Sequence, residues 1–316
     1  MPVAVGKGGQ CKKRWTGPCR ALKQGRSALL HCRAVEPRSI YDMPEVYQEV
    51  FARDLPAEVA FLTELYKQRG KGQLQSFLDL GCGPALHAVA LAQLGVQAMA
   101  LDNSPVMLQY AERNAKKAGV SLQLLQANMQ NFELPAGAHV DLAAMLLGTA
   151  AHLLHSRDLL ACFQSVRKAL RPGGLFVMEL MHPMALFDGT GIIGDSWTAG
   201  APGGPCYLVE YGLPEDEFDA AAQVLYRTVS VTRDHTGHVA AEMDKLTAAQ
   251  HSARRGEVDF DAVNDELSSL PDDNLELLVE SVHPQRLYTY QEVRIIAWLW
   301  LLWVSLFGAG SLAALT

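Results

Sequence analysis

The chain has 316 residues, 49% of them hydrophobic and 19% charged, which is enough for one large globular domain or one domain with appendages. Its net charge of −7 is uneven, because residues 1–35 hold eight basic and no acidic residues and the rest holds 19 basic against 34 acidic residues. A body with a formal charge of −15 repels a phosphate backbone, which argues against a nucleic-acid substrate.

The six cysteines favour a reducing compartment. Cys82, Cys162 and Cys206 are far apart in the body of the chain, and no CxxC pair or His/Cys spacing typical of a zinc site occurs. A disulfide framework is therefore not expected, and neither is a bound metal.

Residues 1–38 have the composition of an organelle transit peptide. They are basic, have no acidic residue before Glu36, and lack the apolar core of a secretory signal. We predict targeting to the chloroplast, with the mitochondrion as the alternative destination and a disordered cytosolic tail as the alternative interpretation.

Residues 39–75 contain helical patterns that Pro44 and Pro56 interrupt. This spacing predicts an N-terminal cap of two helices. Tyr41 and Tyr47 lie in it, and these two rings either close over a ligand or pack as ordinary core aromatics.

Short apolar runs alternate with helical segments after residue 75, which is typical of a parallel sheet covered by helices. The sequence predicts strands over 76–80, 96–102, 122–127, 140–147 and 170–180. It predicts a first helix over 86–94. A second helix begins at Pro105, after an N-cap at Ser104, and ends at Gly119, and a third runs from an N-cap at Ser156 to about residue 170. The predicted fold is α/β, a Rossmann-like doubly wound sheet.

The carboxyl ends of the first two predicted strands carry the candidate ligand site. In such sheets ligands bind beyond the carboxyl ends of the strands, which places Asp79, Gly81 and Gly83 at one end and Asp102 at the next. Small residues let backbone N–H groups approach a ligand, and Asp102 can accept hydrogen bonds from both hydroxyls of a ribose.

A dinucleotide is the first alternative ligand. The GxGxxG pattern is incomplete, however, because Leu86 occupies the third glycine position. Asp79 would also repel a pyrophosphate and would suit a cationic ligand. S-adenosylmethionine, a nucleoside with an ammonium and a sulfonium group, fits this pattern better.

Five segments in order resemble the successive motifs of class I S-adenosylmethionine-dependent methyltransferases. They are "LDLGCGPALHAVALA", "ALDNSPVMLQYAERN", "LLQANMQNFELP", "DLAAMLLGTAAHLL" and "LRPGGLFVMEL", and the resemblance covers about residues 40–185. It implies a seven-stranded sheet with a reversed C-terminal hairpin, S-adenosylmethionine as the cofactor, and transfer of its methyl group.

The resemblance also implies roles for individual residues. Asp79 and the turn from Gly81 to Gly83 would hold the methionine part, and Asp102 would hold the ribose. The residues expected around the adenine are Asn103, Asn128 and Met129. Ala85 replaces a frequent third glycine, which is acceptable if its φ angle is negative.

Histidines that follow the predicted strands are the candidates for a general base. His182, just beyond the fifth strand, is the first choice, and His152 and His155, after the fourth strand, come next. For each of them a hydrogen-bonded structural histidine is the alternative.

The acceptor is less visible in the sequence. The fourth strand ends in "MLLGT", not in the Asn/Asp-Pro-Pro-aromatic signature of amino-methylating nucleic-acid enzymes, which leaves a small molecule or a protein side chain. After the cofactor-binding core (76–184), residues 185–292 are expected to form a substrate lid. The lid would contain antiparallel strands near 207–212 and 222–234 and an acidic loop over 252–280.

The C-terminus departs from the family pattern. "RLYTYQEV" (286–293) resembles the entry into the last helix, with Thr289 and Glu292 as a capping box. The 22 residues of 295–316 then carry no charge, which is long enough for a membrane anchor. We favour an aberrant end over an anchor, and such an end would leave the strand at 170–180 as an exposed edge.

The sequence therefore predicts a class I methyltransferase that acts on a small molecule. The alternative is a catalytically silent relative that binds S-adenosylmethionine or a partner protein.

Overall fold

The computed structural model describes residues 14–15, 38–181, 194–200, 206–213, 215–237 and 275–297. The chain divides into two compact units. The first comprises Met1–Phe51, Leu186–Glu217 and Tyr226–His283, and the second comprises Ala52–Ala185, Phe218–Leu225 and Pro284–Thr316.

The described helices are α1 (Pro44–Val50), α2 (Leu55–Arg69), α3 (Leu86–Gln93), α4 (Pro105–Ala118), α5 (Ser156–Ala169) and α6 (290–297). Short 3-10 helices span Ile40–Asp42 and Thr149–His152. The described strands are β1 (Arg14–Trp15), β2 (Ser76–Leu80), β3 (Gln97–Asp102), β4 (Gln123–Gln126), β5 (Val140–Met145), β6 (Leu170–Met178), β7 (Asp195–Gly200), β8 (Cys206–Tyr211), β9 (Phe218–Asp219), β10 (Val224–Asp234) and β11 (Leu275–Arg286).

The second unit is built on a five-stranded parallel sheet in the order β4-β3-β2-β5-β6. Side chains alternate along each strand, so that Leu78 and Leu80 pack into one buried cluster with α5, while Phe77 packs into another with α2 and α3. Helices therefore cover both faces. The Rossmann-like doubly wound fold is confirmed, and its strands agree with the predicted ones to within two residues at most boundaries.

Within the described part of the chain, β6 lies at the edge of this sheet and pairs on one side only, with β5. The sixth and seventh strands that the family resemblance implies are not among the described strands of this sheet. The C-terminal segment beyond residue 297, which was predicted to be an anchor or an aberrant end, lies outside the described residues.

Most helix boundaries follow the predicted local signals. The Ser104 hydroxyl accepts from Met107 N, Pro105 opens α4, and Gly119 ends it with a φ of 71°. The prediction for Ser156 was wrong, because the N-cap of α5 is His155 and Ser156 is the first helical residue. Its hydroxyl bonds to Glu292 instead, at 3.0 Å.

The predicted helix pair of the N-terminal cap is present, and both prolines lie in the first turn of their helices, α1 and α2. The division between the compact units falls between these helices, after Phe51. Helix α1 therefore belongs to the first unit and α2 to the second.

The first unit contains an antiparallel sheet in the order β1-β7-β8-β10-β11, which confirms antiparallel strands in the predicted lid. Tyr41 and Tyr47 contact each other in this unit, with their ring centroids 5.8 Å apart. Arg14 and Trp15, from the predicted leader, form β1 and pair with β7. Most of the leader and of the acidic loop lies outside the described residues.

None of the helices in the described ranges has the length and apolar character needed to cross a membrane.

Candidate cofactor and acceptor site

The glycine-rich turn after β2 is shaped by close packing. Gly81 and Gly83 have φ angles of 63° and 49°, which favour glycine. A Cβ atom on Gly81 would lie 2.4 Å from Cγ2 of Thr149, in the loop after β5. The turn therefore needs glycine at Gly81 both for its backbone conformation and for the room it leaves.

Asp79 is the strongest indication of a ligand at this turn. Its side chain is 4% exposed, and none of the described residues forms a hydrogen bond with its Oδ2. Burial raises the pKa of this carboxyl to about 6, although nearby His87 and the backbone of Ala88 favour the charged form. A buried carboxylate oxygen with no donor is costly by itself, and an ammonium group of a ligand would satisfy it.

Asp102 closes the turn from the neighbouring strand. Its Oδ2 accepts from Gly83 N at 2.8 Å, and its Oδ1 accepts from Ser104 N at 2.9 Å. The sequence predicts that Asp102 accepts hydrogen bonds from both hydroxyls of a ribose. Because a carboxylate oxygen has two lone pairs, each can still accept one further hydrogen bond, but Asp102 also holds the turn in place.

The surroundings of Cys82 disfavour its thiolate, which is the nucleophilic form of the side chain. Burial raises the pKa of the Cys82 thiol well above its usual range, and the negative charges of Asp79 and Asp102 raise it further.

The residues predicted to surround an adenine follow β3 and β4. Asn103 directly follows Asp102 and is exposed. Asn128 is also exposed, and Met129 is half-buried against the core. Since Ala127 N donates to the carbonyl oxygen of Asp102, the structure brings both segments together at the same edge of the sheet.

Comparison with known proteins agrees with this geometry. Residues 77–174, which contain the turn and both aspartates, match the family model described as a methyltransferase domain. Residues 77–174 therefore form a methyltransferase domain.

Individual relatives support the assignment at different levels. A ubiquinone biosynthesis O-methyltransferase of Cereibacter sphaeroides is 24% identical over 196 residues, which cover 62% of this chain and 70% of that protein. The chain spans about half the length of several other curated relatives that it matches.

Two solved structures share the fold. Streptomyces venezuelae DesVI superposes with a TM-score of 0.57 at 17% identity and covers 83% of this chain and 88% of its own. The S-adenosylmethionine-bound structure of CalS10, an amino pentose methyltransferase of Micromonospora echinaspora, gives a TM-score of 0.57 at 15% identity, with 83% and 89% covered.

The methyltransferase domain departs from one expectation at Ala85. This residue has a φ of 57° and a ψ of 35°, which is a left-handed conformation and not the negative φ that makes alanine acceptable at this position. Its methyl group is fully buried in the core. Ala85 therefore keeps the glycine-like backbone of the turn at a conformational cost.

The structure describes two of the three histidines that are candidates for the general base. His152 ends the 3-10 helix after β5 and is exposed, although the surrounding protein lowers the pKa of its ring by desolvation. His155 is exposed at the N-cap of α5. His182 lies outside the described residues.

A chain of polar contacts at the carboxyl ends of the strands was not found from the sequence. His87 Nε2 lies 2.7 Å from Glu58 Oε2, Arg53 pairs with both Glu58 and Glu179, and Glu179 accepts from Leu147 N at 2.9 Å. Glu179 could have been identified from the sequence as a candidate site residue. It directly follows a strand of the parallel sheet, and Asp102 likewise lies at the end of one. The other contacts join distant parts of the chain and leave no local signal.

Proposed function

We propose that this chain binds S-adenosylmethionine at the turn after β2 and transfers its methyl group to an oxygen or nitrogen atom of a small molecule. The observation that carries the proposal is the buried, unpartnered Oδ2 of Asp79 beside a turn that requires glycine. A cationic amino-acid ligand satisfies that oxygen, whereas a pyrophosphate would be repelled by it.

In this proposal the side chains divide the ligand among them. Asp79 pairs with the ammonium, the backbone of the turn from Gly81 to Gly83 approaches the methionine part, and Asp102 accepts from the ribose. The residues proposed for the adenine are Asn103, Asn128 and Met129. The bound sulfonium supplies an activated methyl group, so the protein contributes mainly orientation of the acceptor and exclusion of water.

The acceptor class rests on similarity and on charge. The reported relative is named for O-methylation in ubiquinone biosynthesis, and the structural neighbour CalS10 is named for an amino pentose. The acidic body argues against a nucleic acid. His182 is proposed as the base that removes a proton from the acceptor, with His152 and His155 as the alternatives.

Calorimetry with S-adenosylmethionine and with NAD tests the cofactor. We expect Asp102→Ala to weaken S-adenosylmethionine binding by roughly 10- to 100-fold, because ribose contacts are lost and the turn is loosened. Asp219→Ala is the matched control, since Asp219 also accepts two backbone N–H groups but caps the turn before β10. Tighter binding of NAD, or unchanged affinity in folded Asp102→Ala, would show that the assignment is wrong.

Turnover distinguishes an enzyme from a silent relative. The chain is incubated with S-adenosylmethionine and a panel of amines, phenols and amino sugars, and S-adenosylhomocysteine is quantified. An active enzyme releases it with at least one acceptor above the acceptor-free rate. Tight cofactor binding with no product from any acceptor class would favour the silent relative.

We also propose that residues 1–38 direct the protein to the chloroplast, on the basis of eight basic and no acidic residues up to position 35. A fluorescent fusion of residues 1–40 should enter plastids. Mitochondrial signal would support the alternative destination, and diffuse cytosolic signal would contradict targeting. Carbonate-resistant membrane association that depends on residues 295–316 would favour the anchor over the aberrant end.

A further inference from the structure

We propose that Tyr288 and Glu292 are positioning residues of the methyltransferase site, which fix the loop after β5. This loop, residues 146–155, is called the β5 loop below. The inference rests on the proposed function, because the β5 loop carries the candidate bases His152 and His155 and contacts the cofactor turn through Thr149.

Tyr288 holds the end of the β5 loop through its hydroxyl group. The side chain is 2% exposed and packs in the same buried cluster as Leu153. Its hydroxyl donates to the carbonyl oxygen of Leu153, and the carbonyl oxygen of His155 lies 3.3 Å from the same hydroxyl. Burial raises the pKa of Tyr288, so the hydroxyl stays protonated and remains a donor.

Glu292 holds the first residue after the β5 loop. Its backbone N donates to Thr289 Oγ1 at 3.1 Å, which confirms one half of the predicted capping box. Its carboxylate Oε1 accepts from Ser156 Oγ at 3.0 Å and from Arg286 Nη2 at 2.7 Å. The Glu292 side chain, which was expected to complete the capping box, therefore binds the start of α5 instead.

Arg286 connects the same group to a second turn. It donates to the carbonyl oxygen of Ala222 and, at 2.8 Å, to Gln223 Oε1. Leu287 N adds a hydrogen bond to the carbonyl oxygen of Gln223 at 2.9 Å. Residues 286–292 thus form a brace between the β5 loop and the turn before β10, and this brace is held at both ends.

The β5 loop depends on such external contacts. Leu147 and Gly148 have φ angles of 57° and 70°, so its backbone starts in a conformation that a leucine rarely adopts. At its other side the methyl group of Thr149 occupies the space beside Gly81. A shift at Leu153 or His155 would therefore displace His152 relative to the cofactor turn. The brace itself makes none of the contacts proposed for the cofactor.

The test compares Tyr288→Phe with Tyr290→Phe in the full chain. Tyr290 is the matched control, because it lies two residues away and is 66% exposed. Amide hydrogen exchange is measured across the chain, together with the NMR signals of the His152 and His155 rings. Affinity for S-adenosylmethionine is measured by calorimetry.

We expect Tyr288→Phe to speed amide exchange in the β5 loop by about tenfold, with exchange in β2 and β3 unchanged, and to move the ring signals of both histidines. Cofactor affinity should stay within a factor of about three of the parent value. Tyr290→Phe should change none of these. Should Tyr288→Phe fail to fold, Ser156→Ala removes the Glu292 contact and leaves the ring in place, and the same local pattern is expected.

Two results would overturn the proposal. One is exchange in the β5 loop that matches the Tyr290→Phe control. The other is acceleration of equal size throughout the core, which would indicate general destabilisation. If the parent protein does not bind S-adenosylmethionine, the proposed function is contradicted. The comparison of amide exchange between Tyr288→Phe and Tyr290→Phe would still test the brace.

Discussion

Two buried aspartates on neighbouring strands of the parallel sheet have opposite surroundings. Asp79, at the carboxyl end of β2, is 4% exposed, and its Oδ2 has no hydrogen-bond partner in the part of the chain that the structure describes. Asp141, at the start of β5, is 2% exposed, and its Oδ2 accepts from the backbone N of Gln75 and of Ser76 at 2.6 and 2.9 Å. Its Oδ1 also forms an ion pair with Arg171 at 2.5 Å.

Within one sheet, the protein itself satisfies one of these carboxylates and leaves the other available to a ligand. At the amino-terminal edge, Asp141 connects β5 to the start of β2 and to Arg171 in β6. The protein itself therefore supplies the partners of this carboxylate. At the carboxyl edge, Asp79 is left unsatisfied and Ala85 and Leu147 have left-handed backbone conformations. Strain and unsatisfied polarity collect where a ligand can relieve them.

The largest effect is expected from Asp141→Ala. The substitution leaves two backbone donors without an acceptor and the Arg171 guanidinium without its carboxylate, which should lower the free energy of unfolding by about 4 kcal/mol. Urea denaturation measures it. Asp79→Ala is the matched control and should cost much less, since that oxygen has no partner to lose; equal losses would abolish the contrast.

The pH dependence of the free energy of unfolding should reveal how much the burial of the ionised Asp79 carboxylate destabilises the protein. Its pKa is raised from 3.8 to about 6, so the folded state binds the extra proton and stability falls as pH rises between these values. The loss amounts to about 3 kcal/mol and is complete above about pH 6. Urea denaturation from pH 3.5 to 7 should show that Asp79→Asn lacks this component. Parallel curves for the parent and the variant would contradict the assignment.

Cofactor affinity should distinguish the roles of the two site carboxylates. Asp79→Asn should weaken S-adenosylmethionine binding by roughly 10- to 100-fold, because a charge-assisted bond to the ammonium is lost. Adenosine, which lacks the methionine part, should bind the variant as it binds the parent, whereas Asp102→Ala should weaken both ligands. Calorimetry measures the affinity of the parent and of both variants for each of the two ligands, and weaker adenosine binding to Asp79→Asn would place Asp79 elsewhere in the site.

The smallest effect is expected from Ala85→Gly. Glycine removes a left-handed alanine that costs about 1–2 kcal/mol, but it also loses a buried methyl group, so a net gain of about 0.5 kcal/mol in unfolding free energy is expected. Ala90→Gly, in the interior of α3, is the control and should cost about 1 kcal/mol. A loss in Ala85→Gly as large as in the control would show that Ala85 carries no strain.

Local sequence signals were sufficient for the parallel sheet and for placing the candidate site residues at one edge of it. Apolar runs of strand length, Ser104 and Gly119 at the ends of a helix, and the carboxylates Asp79 and Asp102 after consecutive strands all act within a few residues of the chain. Because parallel strands place their carboxyl ends at one edge, these local features are enough to bring the candidate cofactor residues together.

The tertiary structure decided what depends on residues far apart in sequence. Asp102 binds the turn through Gly83, Ser156 bonds to Glu292 where a helix cap was predicted, and Asp141 is satisfied by the backbone of β2. Ala85 has a left-handed conformation that its residue type disfavours. No short-range pattern records these contacts, because packing and hydrogen bonding across the fold outweigh a local preference of about 1 kcal/mol.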